Sequence, residues 1–535
     1  MKKQIILQLI SLLFTCFLFG QEMVINWQQC YGGSNEDHVY DIIPIDGGYF
    51  LVGSTESSNG DIKYNHGSWD AWLLKIDSNG NILWEKTFGG SDGDGCGIII
   101  PTPKNHYYLL CASGSSDGDI SYDPYPGSND IWVVKIDSTG NIIWDKMIGS
   151  GMIDAVESAT LTNDGGVSVF GWTGSQNGDV SVNYGMYDMW LVKLNSDGDI
   201  MWDKSYGTDD FDYGHVIIST SDGGFLIGGA STIGSGGNLT CEPFNLNAEA
   251  ILLKLDSHGN IQWQNCYGGS GHDGIKGLLE LEEGYAFVGY GSSNDGDLTS
   301  SGWHGEADIW VAKLDLYGNI IWQKCFGGSS LESALNIFKT ENNGFAIWGS
   351  TRSKNGDVTN NHSISDYDYD LWYFKIDSTG ELLSQSCYGG GGNDFLETGV
   401  LKKDDNNYVI AAYTDYGPSY DVACTPHGGN GDEDWWVFEI KDTTVNVQEN
   451  VPALATLTAY PNPAKDYVCF EYTAQQNPEA DIMIFNIMGI QISNPVLYNS
   501  GSKIIWDSRQ VPPGVYFYTW SANGFTGSGK IVITK

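Results

Sequence analysis

Apolar residues run along this chain in short alternating bursts, and no long stretch carries the 3.6-residue period of a helix. The bursts are rich in Val, Ile, Leu, Trp and Tyr, and clusters of Gly, Asp, Asn and Ser separate them. Branched and aromatic side chains suit a pleated surface, while Gly, Asn and Asp suit tight turns. The pattern therefore predicts an all-β chain of short strands.

One unit of this pattern recurs. Residues 70–90 read DAWLLKIDSNGNILWEKTFGG and residues 130–150 read DIWVVKIDSTGNIIWDKMIGS. Further copies begin at Asp188, Glu249, Asp308, Asp370 and Asp434. The Lys within the segment falls at 75, 135, 193, 254, 313 and 375, with Glu439 in the last copy, a period of roughly 60 residues. Each unit predicts four strands. In the first they are A near Asp37–Ile45, B at Tyr49–Thr55, C at Asp70–Asp77 and D at Asn81–Phe88. Four-stranded antiparallel units at this period describe a seven-bladed β-propeller. The last unit lacks strand D, because the chain after Lys441 has no Trp strand. A spare D-like strand, Ile25–Tyr31, sits near the start and is expected to complete that blade, which removes two open edges.

Twelve of the 19 Trp residues fall at two repeat positions. Strand C carries Trp72, Trp132, Trp190, Trp310, Trp372 and Trp436, with Ile251 in one copy. Strand D carries Trp27, Trp84, Trp144, Trp202, Trp263 and Trp322, with Ser384 in one copy. They are expected to pack between neighbouring blades. The C–D hairpin LLKIDSNGNILW resembles the blade motif of quinoprotein-type propellers. The whole unit, over residues 24–441, more closely resembles the propeller repeats of secreted multidomain bacterial proteins. That resemblance specifies a fold rather than a function.

The pattern changes after Asp442. Residues 443–455 are polar and read as a linker, and residues 456–535 carry short strands in new sequence: LTAYPNPAKDYVCFEY, ADIMIFNIMG, KIIWDS, PPGVYFYTW and GKIVITK. They predict a small Ig-like β-sandwich. The segment resembles the type A C-terminal sorting domain of the type IX secretion system. The matching elements are Tyr460-Pro461-Asn462-Pro463-Ala464, the strand and turn from Asp481 to Gly489, Pro513-Gly514-Val515-Tyr516, and the final strand ending in Lys535. The resemblance implies export by the type IX machinery of a Gram-negative bacterium, to the medium or the outer cell surface.

The chain's start agrees with export. Residues 1–20 read as a signal peptide, with Lys2 and Lys3 before an apolar run to Phe19, and no other segment is apolar enough to span a membrane. The net charge of -41 argues against nucleic acid and anionic membranes as partners. Nine cysteines would remain after cleavage, with no zinc spacing. Cys30, Cys266, Cys325 and Cys387 share one repeat position in different blades and are not expected to meet one another. Cys96 and Cys111 are expected to face each other across an A–B turn, either as a disulfide or as two buried thiols.

Chain direction puts the short A–B and C–D turns on one face and the long, acidic B–C loops on the other, where binding loops gather on a rigid scaffold. Two carboxylate rings follow from the alignment. One opens strand A at Asp37, Asp94, Asp154, Asp212, Asp273, Glu332 and Asp394. The other opens strand C at Asp70, Asp130, Asp188, Glu249, Asp308, Asp370 and Asp434. Two readings stay open: carboxylates bonded to backbone amides of their own loops, or, for the first ring, ligands of a hard cation such as calcium. The loop aromatics Trp69, Tyr122, Tyr125, Tyr187, Trp303 and Tyr367 are candidates for stacking on a glycan, against the alternative that they cover the blade tops. No GxSxG nucleophile elbow at a strand-to-helix turn and no HExxH motif is present. The leading reading is a secreted or cell-surface binding protein for a glycan or a protein. The alternative is an extracellular lyase or glycosidase that uses the long-loop face.

Overall fold

The computed structural model describes residues 23–232, 234–241, 247–442, 456–473, 481–486, 490–492, 497–500, 503–522 and 525–534. The expected signal peptide, the linker and Lys535 lie outside the described residues. The chain divides into two compact units, with the boundary after Thr443.

The first unit is a seven-bladed propeller. Blade 1 pairs Asp37–Ile45, Gly48–Thr55, Asp70–Asp77 and Ile82–Phe88 in sequence order as strands A to D. Blades 2 to 6 repeat this order over residues 94–148, 154–206, 212–267, 273–326 and 332–388. Blade 7 takes its strand A in two pieces, Asp394–Phe395 and Val400–Asp404, followed by Asn407–Thr414 and Asp434–Asp442. Its strand D is the N-terminal strand Met23–Tyr31, which runs antiparallel to strand C with Met23 opposite Asp442 and Cys30 opposite Trp436. The expected closure is therefore present.

The two sets of Trp do different work. Those on strand C are fully buried and fill the space between sheets. Trp132, for example, packs in one cluster with Phe50, Val52 and Leu73 of the preceding blade. Those on strand D reach forward onto the C–D turn of the next blade. Gly80, Gly140, Gly198, Gly259, Gly318 and Gly380 hold φ between +74° and +88° there, and an added Cβ would sit about 3 Å from the ring of Trp27, Trp84, Trp144, Trp202, Trp263 or Trp322. Only Gly meets both demands, the left-handed backbone and the close ring. Ser384 now has an explanation. It is the blade 6 counterpart of these Trp, and blade 7 has no C–D turn for a ring to cover, because its strand D arrives from the N-terminus.

Three disulfides are present. Cys96 and Cys111 are directly opposed on strands A and B. Cys30 pairs with Cys424 and Cys266 with Cys241, each joining strand D to the B–C loop of its own blade. The same loop–strand contact is a hydrogen bond elsewhere, from Thr87 Oγ1 to the Tyr64 carbonyl at 2.8 Å and from Ser205 Oγ to the Val182 carbonyl at 2.5 Å. Cys325, Cys387 and Cys469 are free and buried. Thiol titration of the denatured, unreduced mature protein should thus find three thiols. A count of nine, or a peptide map lacking the 30–424 link, would contradict this pairing.

The second unit stacks two antiparallel sheets. One orders Thr456–Tyr460, Tyr467–Thr473, Lys503–Asp507 and Leu497–Ser500, and the other Asp481–Asn486, Gly514–Ala522 and Phe525–Ile533. Val468, Phe470, Ile484, Trp506, Tyr518 and Ile531 form the core between them.

Candidate functional site

Each blade boundary is fastened by a repeated set of polar contacts. The strand A carboxylates accept hydrogen bonds from their own D–A connection. The N–H groups of Gly33, Gly90, Thr208, Gly269, Gly328 and Gly390 donate to Asp37, Asp94, Asp212, Asp273, Glu332 and Asp394 at 2.6–2.9 Å, and Ser150 Oγ donates to Asp154 at 2.7 Å. The strand C acid of the preceding blade lies beside each one. A Cβ on Gly32 would meet Asp434 Oδ1 at 2.4 Å and Asp37 Oδ2 at 2.7 Å. Burial, with the neighbouring carboxylate adding to it, pushes Asp37, Asp130 and Asp188 up to about 7. The strand A acids each bond their own connection through at least one oxygen, and no group of three or more Asp, Glu, His or Cys is placed to hold a metal among the described residues.

The B–C loop closes the fastening. Asp61 N donates to the Gly32 carbonyl at 2.9 Å, while Gly32 N donates to Asp61 Oδ2 at 3.2 Å. Asp119, Asp179, Asn238, Asp297, Asp357 and Asp421 repeat this exchange with Gly89, Gly149, Gly207, Gly268, Gly327 and Gly389. At four boundaries a histidine bridges the two blades. His427 Nδ1 lies 2.9 Å from Asp434 and its Nε2 lies 3.6 Å from Asp61, and His66, His304 and His362 repeat the bridge.

An aromatic rim stands at the inner end of the long-loop face, and it forms two arcs. In one, Trp69 lies 4.9 Å from His38, His38 stacks on Tyr413 at 5.0 Å, Tyr413 meets Phe395 at 5.7 Å, and Phe395 meets Tyr369 at 5.0 Å. Arg352 lies over Tyr369 at 4.2 Å. These residues come from blades 6, 7 and 1. In the other arc, from blades 3 and 4, Trp172 meets Tyr187 at 4.8 Å and Tyr187 meets Tyr213 at 5.9 Å. The equivalent positions of blade 2 are Gly95, Ala112 and Asn129, so the rim is open there.

Of the aromatics expected at a ligand, Trp69 and Tyr187 are in this rim. Tyr122 and Tyr367, 72% and 79% exposed, project into solvent from outer loops. Tyr125 covers Gly178 in the next blade's loop, and Trp303 packs against the core of blades 4 and 5. The rim members Trp172, Tyr213, Tyr369, Phe395 and Tyr413 escaped notice because they read as ordinary strand and loop residues.

Below the rim lies the channel waist. Strand A has a bulge three residues after its opening acid, seen as a register shift at Tyr40, Gly97, Glu157, His215, Lys276 and Leu335, with Glu397 at the break in blade 7. A bulge turns one side chain off the sheet faces. Five of these residues, from blades 1, 2, 3, 6 and 7, line a single cavity of about 340 Å³. Lys276 Nζ lies 3.1 Å from His215 Nδ1, which in turn lies 4.0 Å from Glu157 Oε2. Burial and Lys276 hold His215 down at about 3, so it is neutral and accepts the ammonium N–H at Nδ1. Burial raises Glu157 and Glu397 against the pull of Lys276, and lowers Lys276 against the pull of both.

In the second unit, the segment Tyr460-Pro461-Asn462-Pro463-Ala464 clips the final strand. Asn462 Nδ2 donates to the Lys530 carbonyl at 2.7 Å and its Oδ1 accepts from Val532 N at 2.9 Å, so one side chain imitates a strand partner. Ala464, after Pro463, continues with a parallel bridge to Ile533. Tyr460 and Pro461 lead into this clip. Gly514 pairs with Ile533 from the other side, and Tyr516 OH donates to the Pro512 carbonyl at 2.8 Å. Asn462→Ala removes two hydrogen bonds, about 1–3 kcal/mol from a small unit. Export of the variant, read by immunoblot of the medium and cell surface, should fall several-fold. Unchanged export would rule out this role for Asn462.

Residues 458–534 match the family described as the secretion system C-terminal sorting domain. The protein is thus secreted, to the exterior or outer surface of a Gram-negative bacterium, with the type IX machinery as partner. No helix among the described residues is long and apolar enough to cross a membrane. No curated protein matches the chain significantly. Among solved structures, it is similar to a member of the DUF4221 family from Bacteroides vulgatus, at 10% identity and a TM-score of 0.32, over 78% of this chain and 98% of that one. It is also similar to CoXyl43, a GH43 β-xylosidase/α-arabinofuranosidase from a compost metagenome, at 10% identity and a TM-score of 0.28, over 56% and 98%.

Proposed function

We propose that this secreted protein binds a glycan across the mouth of its propeller channel. The observation that carries the reading is the pair of aromatic arcs, Trp69–His38–Tyr413–Phe395–Tyr369 and Trp172–Tyr187–Tyr213, on opposite sides of an opening floored by carboxylates. Sugar rings offer apolar C–H faces to aromatic rings and hydroxyls to carboxylates, so such a site suits them. A net charge of -41 favours neutral glycans over uronate-rich ones. The same reading takes residues 1–20 as a leader lost at export, residues 21–442 as the binding body and residues 443–455 as the link to the sorting unit.

Isothermal titration of the mature protein against xylan, mannan, β-glucan, galactan and starch tests it. At least one should bind, and Trp69→Ala and Trp172→Ala should each weaken that binding about tenfold, the loss of one stacked ring. Binding to none, or binding indifferent to both substitutions, would overturn it. A hydrolytic use of the same site is the second reading. It is favoured by Glu157 and Glu397, two raised carboxyl groups near one cavity, since glycoside cleavage needs one protonated and one ionised carboxyl. Release of reducing ends from the bound polysaccharide, abolished by Glu157→Gln, would select it.

A further inference from the structure

We propose that the channel waist is a pocket for the terminal sugar of a neutral glycan, entered end-on from the mouth; this rests on the glycan reading. The waist is set below the rim and meets it at Gly95 and Ala112, where the rim is open. Its cavity of about 340 Å³ is at the small end of ligand pockets and suits about one or two sugar rings. It is too small for a chain to cross sideways.

Glu157 and Glu397 line the cavity, and Lys276 lies beside it, near enough to attract both. Lys276 has three N–H donors, and its described partner is the single acceptor His215 Nδ1. Glu397 is held through its backbone, with Asn336 Nδ2 donating to its carbonyl at 3.0 Å, while its carboxylate makes no hydrogen bond among the described residues. Glu157 is 36% exposed, and its nearest described ion partner is His215 at 4.0 Å. Carboxylate acceptors in the cavity wall, with an ammonium donor beside it, fit a group that both accepts and donates, which is what a sugar hydroxyl does. Gly97 and Leu335 leave room for a ring beside Tyr40 and Thr398.

Charge narrows the ligand further. A uronate would bring a third carboxylate beside Glu157 and Glu397, with Lys276 as the one described cation between them. A metal ion or an amino sugar would instead meet the Lys276 ammonium. A neutral sugar avoids both repulsions.

The test uses the mature full-length protein and the neutral polysaccharides named above. Where one binds, its own free mono- and disaccharides should compete with it. Lys276→Met and Leu335→Trp, the second filling the cavity without altering charge, should each weaken binding of the small sugar at least tenfold while weakening the polymer less. Glu397→Gln, nearly isosteric, carries the same expectation if either of those variants melts abnormally. If a polymer binds but its small sugars do not compete and the variants bind like the parent, the waist pocket is refuted and the mouth reading survives. If no neutral glycan binds, both fail.

Discussion

A mature chain that lacks residues 21–33 should not form a stable propeller. The deletion removes every rung between Met23–Tyr31 and Asp434–Asp442 and exposes the edge of a strand bearing the buried Trp436. It also removes Trp27 from the turn at Gly80 and the Tyr31 hydroxyl bond to the Gly80 carbonyl, so blade 1 loses its grip on blade 7. Gln28, whose Oε1 accepts from Trp436 Nε1 and Ala423 N at 2.9 Å, goes with them. Blade 7 would then end on strand C, a strand otherwise paired on both sides, and newly exposed edges promote aggregation. Size-exclusion chromatography and circular dichroism should find aggregate or a broad, low transition. A monomer melting within about 5 °C of the parent would refute the closure. Cys30→Ser is the milder form. The Cys30–Cys424 bond spans 394 residues of sequence, for which loop-closure entropy alone suggests about 6 kcal/mol.

The propeller should also be more stable in mild acid than in mild base. Burial holds the folded-state values of Asp37, Asp130, Asp188 and Glu332 at about 7 and of Asp212 at about 6. In the unfolded chain these groups ionise near 4. Between those limits the folded state binds more protons, so stability is full below about pH 4 and falls as pH rises to about 7. The raised His362 and His427 act in the same direction, their contribution fading as pH climbs past their folded values. His215, lowered to about 3 by burial and by Lys276, opposes them, since its contribution is lost as pH falls from about 6.5 toward 3. The carboxyl groups outnumber it. The melting temperature should therefore drop by roughly 5–10 °C between pH 5 and pH 8. Asp188→Asn, which fixes the neutral form, should flatten part of that slope. A melting temperature that stays level or rises over this range would refute the assignment.

Much of the architecture was legible in the chain because it rests on residues that recur. The Trp at position three of strand C recurs in six blades, with Ile251 in the other, the acid that opens strand A recurs in all seven, and the Gly of the C–D turn recurs six times because closure removes the seventh turn. Even the exception at Ser384 is legible once the missing turn is recognised. The rim and the waist were hidden for the opposite reason. Binding surfaces of a repeat protein lie where the repeat breaks, and Trp172, Tyr413 and Lys276 occupy strand positions that alternation alone assigns to the sheet. The bulge that turns Glu157, His215 and Lys276 toward the axis leaves no residue signature of its own. Cys424 and Cys241 were unreadable as partners because they lie in long loops whose path no local rule fixes. The acidic Asn-Gly-Asp turns, by contrast, have a local cause. Gly60 at φ +67° places the Asp61 amide against the Gly32 carbonyl, leaving no room for a side chain.

The pairing of Met23 with Asp442 fixes where the propeller's two ends leave it. Strand C of blade 7 starts at the loop face with Asp434 and finishes at the short-turn face with Asp442, and Met23 begins beside it. Both ends thus depart from the side opposite the aromatic rim. The rim itself therefore carries neither end of the closing strand pair, and its loops belong wholly to the blades.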